Sequence, residues 1–151
     1  MGFGLPDGDG SPGNSPNRKI RVLLADDHPP MLDRIVALLA TEFTVVGAVK
    51  DGEEAVTAAS LLHPDVLVFD ISMPRLSGLD AATVIRRAGS PVPVVFLTVH
   101  SEPEFLQAAW EAGALGYVRK SHMGSDLIPA IRAALLGKRF VSASIDPDCR
   151  V

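Results

Sequence analysis

The 151-residue sequence predicts an α/β fold: a single doubly wound parallel sheet of five strands with helices on both faces. Three observations predict it. Five apolar runs alternate with five amphipathic stretches of helical period, and strands alternating with helices form a parallel sheet covered on both sides. The runs are close to continuously apolar, as strands buried on both faces must be. Four of them lead into polar residues at their carboxyl ends, the edge at which open α/β sheets present ligand-binding groups.

The first strand is predicted at Ile20-Arg21-Val22-Leu23-Leu24-Ala25, and Met31, Ile35, Leu38 and Leu39 then share one helical face. A second apolar run begins at Phe43, and Ala55, Ala58, Ala59 and Leu62 mark the next helix. Val66-Leu67-Val68-Phe69 forms the third strand; its helix opens at Ser77 and stops at Gly89. The fourth strand lies within Val92-Pro93-Val94-Val95-Phe96-Leu97. Ser101-Glu102-Pro103-Glu104 then predicts a capping box with Pro just inside a helix that carries Trp110. The fifth strand is Leu115-Gly116-Tyr117-Val118-Arg119. Leu127, Ile131, Ala134 and Leu135 line the last helix, which ends at Gly137, with Pro129 expected in its first turn. Right-handed crossovers leave few topologies. The flavodoxin-like strand order 2-1-3-4-5 has its switch point between strands one and three.

Composition bounds the rest. At 47% hydrophobic residues the chain can bury a full core, and residues 19–137 make one domain. Residues 1–18 are rich in Gly, Pro, Ser and Asp, with Phe3 and Leu5 as their bulky apolar residues. They read as a disordered extension. Residues 138–151 carry turn-forming Ser, Asp and Pro and read as a tail or the start of a linker. A net charge of −4 argues against a nucleic-acid or membrane surface. Cys149 stands alone, no apolar run approaches the roughly 18 residues of a membrane span, and no signal-peptide core is present, so a cytoplasmic address is expected.

The strand ends carry the chemistry. Asp26-Asp27 follow the first strand, Asp70 the third, Thr98 the fourth and Lys120 the fifth, so that three carboxylates, a hydroxyl and an ammonium meet at one crevice. Two carboxylates about 4 Å apart repel by about 4 kcal/mol at an effective dielectric near 20. A divalent cation removes that penalty, and hard oxygen ligands with room for water suit Mg²⁺. Taken alone, Asp26 and Asp27 fit a strand-end turn or helix cap equally well; Asp70 at the same edge favours the metal. A carboxylate nucleophile such as Asp70 can form an acyl phosphate. Lys120 supplies a point charge suited to phosphate, and Thr98 a hydroxyl donor.

The order acid pair, acid, Thr, Lys, with Met73-Pro74 and Gly78 after Asp70, resembles the receiver domain of two-component response regulators. Asp26-Asp27-His28-Pro29 and Gly137-Lys138-Arg139-Phe140-Val141-Ser142 are similar to the NarL/LuxR type. The resemblance implies that Asp70 is the phosphoacceptor, taking its phosphoryl group from a sensor histidine kinase or phosphotransfer protein. It implies Mg²⁺ or Mn²⁺ held by Asp27, Asp70 and the backbone carbonyl of Ser72, with Asp26 acting through water. Thr98 and Lys120 would meet the phosphoryl oxygens, and Tyr117 would turn inward as Thr98 moves, reshaping the fourth-helix/fifth-strand face and supporting a homodimer.

Such a domain is a phosphoacceptor, with self-catalysed phosphotransfer and dephosphorylation at most, rather than an enzyme acting on a separate substrate. It binds no nucleic acid itself; most relatives continue into a helix-turn-helix domain that regulates transcription, and this chain stops inside what would be the linker. Val99 stands where many receivers have Ala or Gly and is expected to modulate access to Asp70. Ser121 replaces a common Pro, so no cis peptide is expected there. His28 reads as a helix-start residue, and His100 and His122 as loop residues flanking the crevice.

Two other classes compete. One is a phosphorylation-independent interaction module, against which the intact site set weighs. The other is an enzyme: an aspartyl-phosphate phosphatase of the haloacid-dehalogenase type would want Asp-x-Asp after strand one, where the acids here are adjacent. A flavodoxin relative would want a Ser/Thr/Gly-rich loop in place of Asp26-Asp27-His28-Pro29-Pro30.

Overall fold

The computed structural model describes residues 19–142. The expected disordered extension, 1–18, and residues 143–151 of the expected tail lie outside the described residues. In chain order the elements are β1 (Arg21–Ala25), α1 (Pro29–Leu39), β2 (Thr44–Val49), α2 (Gly52–Leu62), β3 (Val66–Phe69), α3 (Gly78–Arg87), β4 (Val94–Thr98), α4 (Pro103–Glu111), β5 (Gly116–Arg119), a 3₁₀ turn (Lys120–His122), α5 (Met123–Leu135) and β6 (Phe140–Val141). The sheet order is β2-β1-β3-β4-β5-β6 with every pair parallel. The first five strands follow the order 2-1-3-4-5.

The sheet therefore has six strands, which corrects the expected five. After α5 the chain reverses at Gly137, whose φ of +76° lies in the left-handed region that favours glycine. It then meets the open edge of β5. There Phe140 N–H donates to Leu115 O at 2.8 Å and Ser142 N–H to Tyr117 O at 3.0 Å, satisfying carbonyls that the sheet edge would otherwise leave unpaired. Two residues are too few to show a period, so the sequence carried no signal for this strand.

Alternation along each strand splits the core into two layers. Leu23, Leu67, Phe69, Phe96 and Tyr117 face α2, α3 and α4. Val22, Leu24, Val68, Leu97 and Val118 face α1 and α5. The interior strands β1, β3, β4 and β5 are almost wholly buried, whereas β2, at the edge, is half-exposed.

Helix starts follow the expected chemistry in two places. The Asp51 side chain accepts Glu54 N–H at 2.8 Å at the head of α2, and Ser77 Oγ accepts Asp80 N–H at 3.1 Å at the head of α3. Gly89, just past α3, has φ +97°. Two expectations are corrected. The capping box at Ser101 does not form: Pro103 starts α4, which makes Glu102 the N-cap residue, and no side chain caps the helix. Pro129 lies inside α5 rather than in its first turn, because the 3₁₀ turn runs straight into a helix beginning at Met123. Pro129 and Ser125, the residue whose carbonyl loses its helical donor, are both exposed.

Candidate functional site

Parallel pairing of β1 with β3 sets the two acidic strand ends side by side. Asp70 N–H donates to Ala25 O at 2.8 Å, and Asp26 N–H to Val49 O at 3.0 Å. Carboxylate oxygens of Asp26, Asp27 and Asp70 all lie within 4.8 Å of one another. Asp26 and Asp70 are buried, at 1% and 6% exposure, and Asp27 is exposed. From the turn after β5, Lys120 Nζ reaches into this group, 2.7 Å from Asp26 Oδ2 and 3.1 Å from Asp70 Oδ2.

These charges control one another. Burial pushes the Asp70 carboxyl above its ordinary range; Lys120 pulls it down and Asp26 pushes it up, and the balance leaves it raised. Burial alone would lower Lys120, but its bonds and proximity to Asp26 and Asp70 raise it, so the ammonium stays charged. One ammonium thus faces three carboxylates. The donor set fits a small divalent cation: hard oxygens from adjacent strand ends, with exposed Asp27 leaving room for water ligands.

The loop after Asp70 is clamped by backbone contacts. Ser72 N–H donates to Asp70 Oδ1 at 3.3 Å, folding the loop back on the carboxylate. Gly78 N–H donates to Ile71 O at 2.7 Å, and a Cβ at Gly78 would fall 1.9 Å from Asp70 O. A Cβ at Gly52, in α2, would fall 2.0 Å from Leu76 O. Arg75, with φ +70°, ion-pairs with the buried Asp51 at 3.4 Å.

Thr98 is fully buried at the end of β4, and its Oγ1 accepts His100 N–H at 3.1 Å. His100 is more than the loop residue the sequence suggested. Tyr117 OH donates to His100 O at 2.9 Å, His100 Nε2 lies 2.9 Å from Ser72 Oγ, and its ring stacks on Phe105 with centroids 3.9 Å apart. One residue therefore joins the acceptor loop, Thr98 and Tyr117. No periodic signal marked it; its place two residues after Thr98 was the available clue. Tyr117, expected to turn inward as Thr98 moves, is already fully buried. Burial and the nearby Glu102 push its phenol well above the ordinary range, against a smaller opposing effect of Arg119.

Val99, the residue after Thr98, is 64% exposed. His28 is the N-cap residue of α1, and its N–H donates to Asp26 Oδ1 at 2.9 Å. The Lys120–Ser121 peptide is trans.

The model of the response regulator receiver domain matches residues 22–132. The chain is 40% identical over 122 residues to the uncharacterized transcriptional regulatory protein YxjL of Bacillus subtilis, covering 80% of this chain and 56% of that protein. Among solved structures it is similar to a LuxR-family response regulator from Aurantimonas, with a TM-score of 0.80, 33% identity and coverage of 84% of this chain and 92% of that one. It is also similar to the isolated receiver domain of RcsB from Salmonella enterica, solved with the phosphomimetic BeF3−, with a TM-score of 0.77, 30% identity and coverage of 84% and 96%. The chain spans 56–64% of the length of the curated relatives it matches. Its strand-end acids, its sheet order and these matches agree: the chain belongs to the response regulator receiver domain family of two-component signalling.

Proposed function

We propose that Asp70 accepts a phosphoryl group from the phosphohistidine of a sensor kinase or phosphotransfer protein. The observation that carries this reading is Lys120 Nζ held at once by Asp26 and Asp70 beside a third carboxylate. Asp26, Asp27, Asp70 and the Ser72 carbonyl would hold Mg²⁺ or Mn²⁺. When bound, the cation neutralises charge on the carboxylates and on the phosphoryl oxygens. An Asp70 oxygen bonds to phosphorus as the phosphorus–nitrogen bond breaks, and the imidazole keeps the electron pair. Positioning and charge neutralisation supply most of the catalysis, because phosphoryl transfer demands little other covalent chemistry. No separate substrate is turned over.

Lys120 has a further N–H for the incoming oxygens. Thr98 Oγ1 accepts from His100 yet keeps its own proton to donate. Phosphorylation adds about −1.5 to −2 charges. As Thr98 turns toward that charge, the His100 N–H loses its acceptor, and Tyr117, bonded to the His100 carbonyl, is drawn into the change. The affected surface lies on α4 and β5 and is the face we assign to phosphorylation-dependent self-association. Exposed Val99, beside Thr98, modulates access to Asp70. In a longer protein of the relatives' kind, a helix-turn-helix domain would convert the switch into transcriptional control in the cytoplasm; among the described residues no helix is long and apolar enough to cross a membrane.

Intact mass after incubation with acetyl phosphate tests the reading. One phosphoryl group is expected on wild type with Mg²⁺, and none on Asp70→Asn or after chelation. Labelling of Asp70→Asn would sink the assignment. An unmodified but folded wild type that stays unmodified as Val99→Ala would favour the phosphorylation-independent module.

A further inference from the structure

Five polar or charged residues are buried among the described ones: Asp26, Asp51, Asp70, Thr98 and Ser142. The first four cap α2 or build the pocket, and Ser142 does neither. It follows β6 and is fully buried. Its Oγ donates to Asp126 Oδ2 at 2.8 Å and accepts Arg119 N–H at 3.1 Å, while its own N–H donates to Tyr117 O at 3.0 Å. The other Asp126 oxygen accepts Ser125 Oγ at 3.0 Å.

We propose that Ser142 and Asp126 are positioning residues that clasp residues 140–142 to the strand bearing Tyr117 and Lys120, so that phosphoryl occupancy at Asp70 and docking of this strap are thermodynamically linked. The inference rests on the switch reading above. Ser142 straddles Val118: one bond goes to the backbone of Tyr117, the other to that of Arg119, the residue just before Lys120. The strap also reaches the helices on either side of β5. Val141 packs on the layer that contains Tyr117, and Phe140 on the layer that contains Leu127 and Ile131 of α5. The Arg139 guanidinium lies over the Trp110 ring of α4, 4.4 Å from its centroid. A shift of β5 that follows Lys120 toward a phosphoryl group moves both backbone partners of Ser142. A buried hydroxyl cannot lose those partners without a desolvation penalty. The strap therefore either follows β5 or releases, and release frees the chain that follows residue 142.

The direction of coupling follows from Tyr117. The clasp is formed here with Tyr117 already inward while Thr98 still accepts His100 N–H, so the docked strap goes with the inward packing that the switch needs. Docking should thus favour occupancy, and linkage requires the converse. Beryllofluoride with Mg²⁺ is the probe, its binding to the full chain read by ¹⁹F NMR and strap docking by amide exchange at Ser142 and Arg119. Saturation is expected to slow Ser142 amide exchange about 5-fold or more in wild type. Ser142→Ala and Asp126→Ala should each raise the beryllofluoride midpoint by about 5-fold, and Ser125→Ala should not. Bound beryllofluoride with unchanged exchange, or variants that leave the midpoint unmoved or lower it, would reduce the clasp to structural support and overturn the proposal while leaving the acceptor site intact. Failure of beryllofluoride to bind wild type would remove both. The wild-type exchange measurement decides the matter even if the variants do not fold.

Discussion

Lys120 is the residue on which the pocket's charge balance turns. Its ammonium compensates two buried carboxylates at 2.7 and 3.1 Å. Removing one partner of a buried ion pair leaves uncompensated charge, so Lys120→Ala should destabilise the fold by about 3 kcal/mol at neutral pH. The deficit should shrink in acid as the carboxylates protonate, which urea denaturation at several pH values would reveal. Asp70 carries a pH signature of its own. Its folded pKa is raised, so between the ordinary and the raised value the native state holds more protons than the unfolded chain. Stability is therefore lost as pH rises through that window, and the cost is complete above it. Asp70→Asn should be more stable than wild type at pH 7, with the advantage fading as pH falls through that window and gone below the ordinary carboxylate range. A variant no more stable at pH 7 would contradict desolvation as the dominant cause.

At the level of elements, the acceptor loop and α5 pull in opposite directions. The loop is held by a backbone approach that only glycine permits: a Cβ at Gly78 would sit 1.9 Å from Asp70 O. Gly78→Ala should cost about 3 kcal/mol and displace Asp70, since the obstacle is backbone rather than a flexible side chain. Chemical denaturation together with acetyl-phosphate labelling would measure both effects. In α5 the interior Pro129 is exposed and packs little. Pro129→Ala restores a helical hydrogen bond and should stabilise by about 1 kcal/mol or more, net of the unfolded-state entropy that proline suppresses. A lower melting temperature would mean that Pro129 shapes the path from the Lys120 turn into the helix.

For the whole molecule, the sheet brings three carboxylates from two separate strand ends within 4.8 Å of one another, and that concentration of charge is what a cation relieves. Mg²⁺ at about 100 times its dissociation constant should add about 2.7 kcal/mol of stability to wild type. Asp27→Ala, which removes an exposed carboxylate and leaves the core intact, should abolish most of that gain. Calorimetry with and without Mg²⁺ would check it. An equal gain in the variant would place the ion elsewhere.

The fold class, the order of the first five strands and the strand-end group of Asp26, Asp27, Asp70, Thr98 and Lys120 were legible in the sequence. Apolar runs and polar strand ends are local patterns, and parallel crossovers convert them into one shared edge. The interior position of Pro129 and the failure of Ser101 to cap α4 were not legible, because each turns on where a helix begins, a matter of one or a few residues. The role of His100 was hidden for a different reason. Its importance lies in contacts with Ser72 and Tyr117, both distant in sequence, and no periodicity encodes them. The sixth strand and the burial of Ser142 belong with His100: a two-residue strand is specified by the open edge of β5 and by Asp126, and those partners exist only once the sheet has formed.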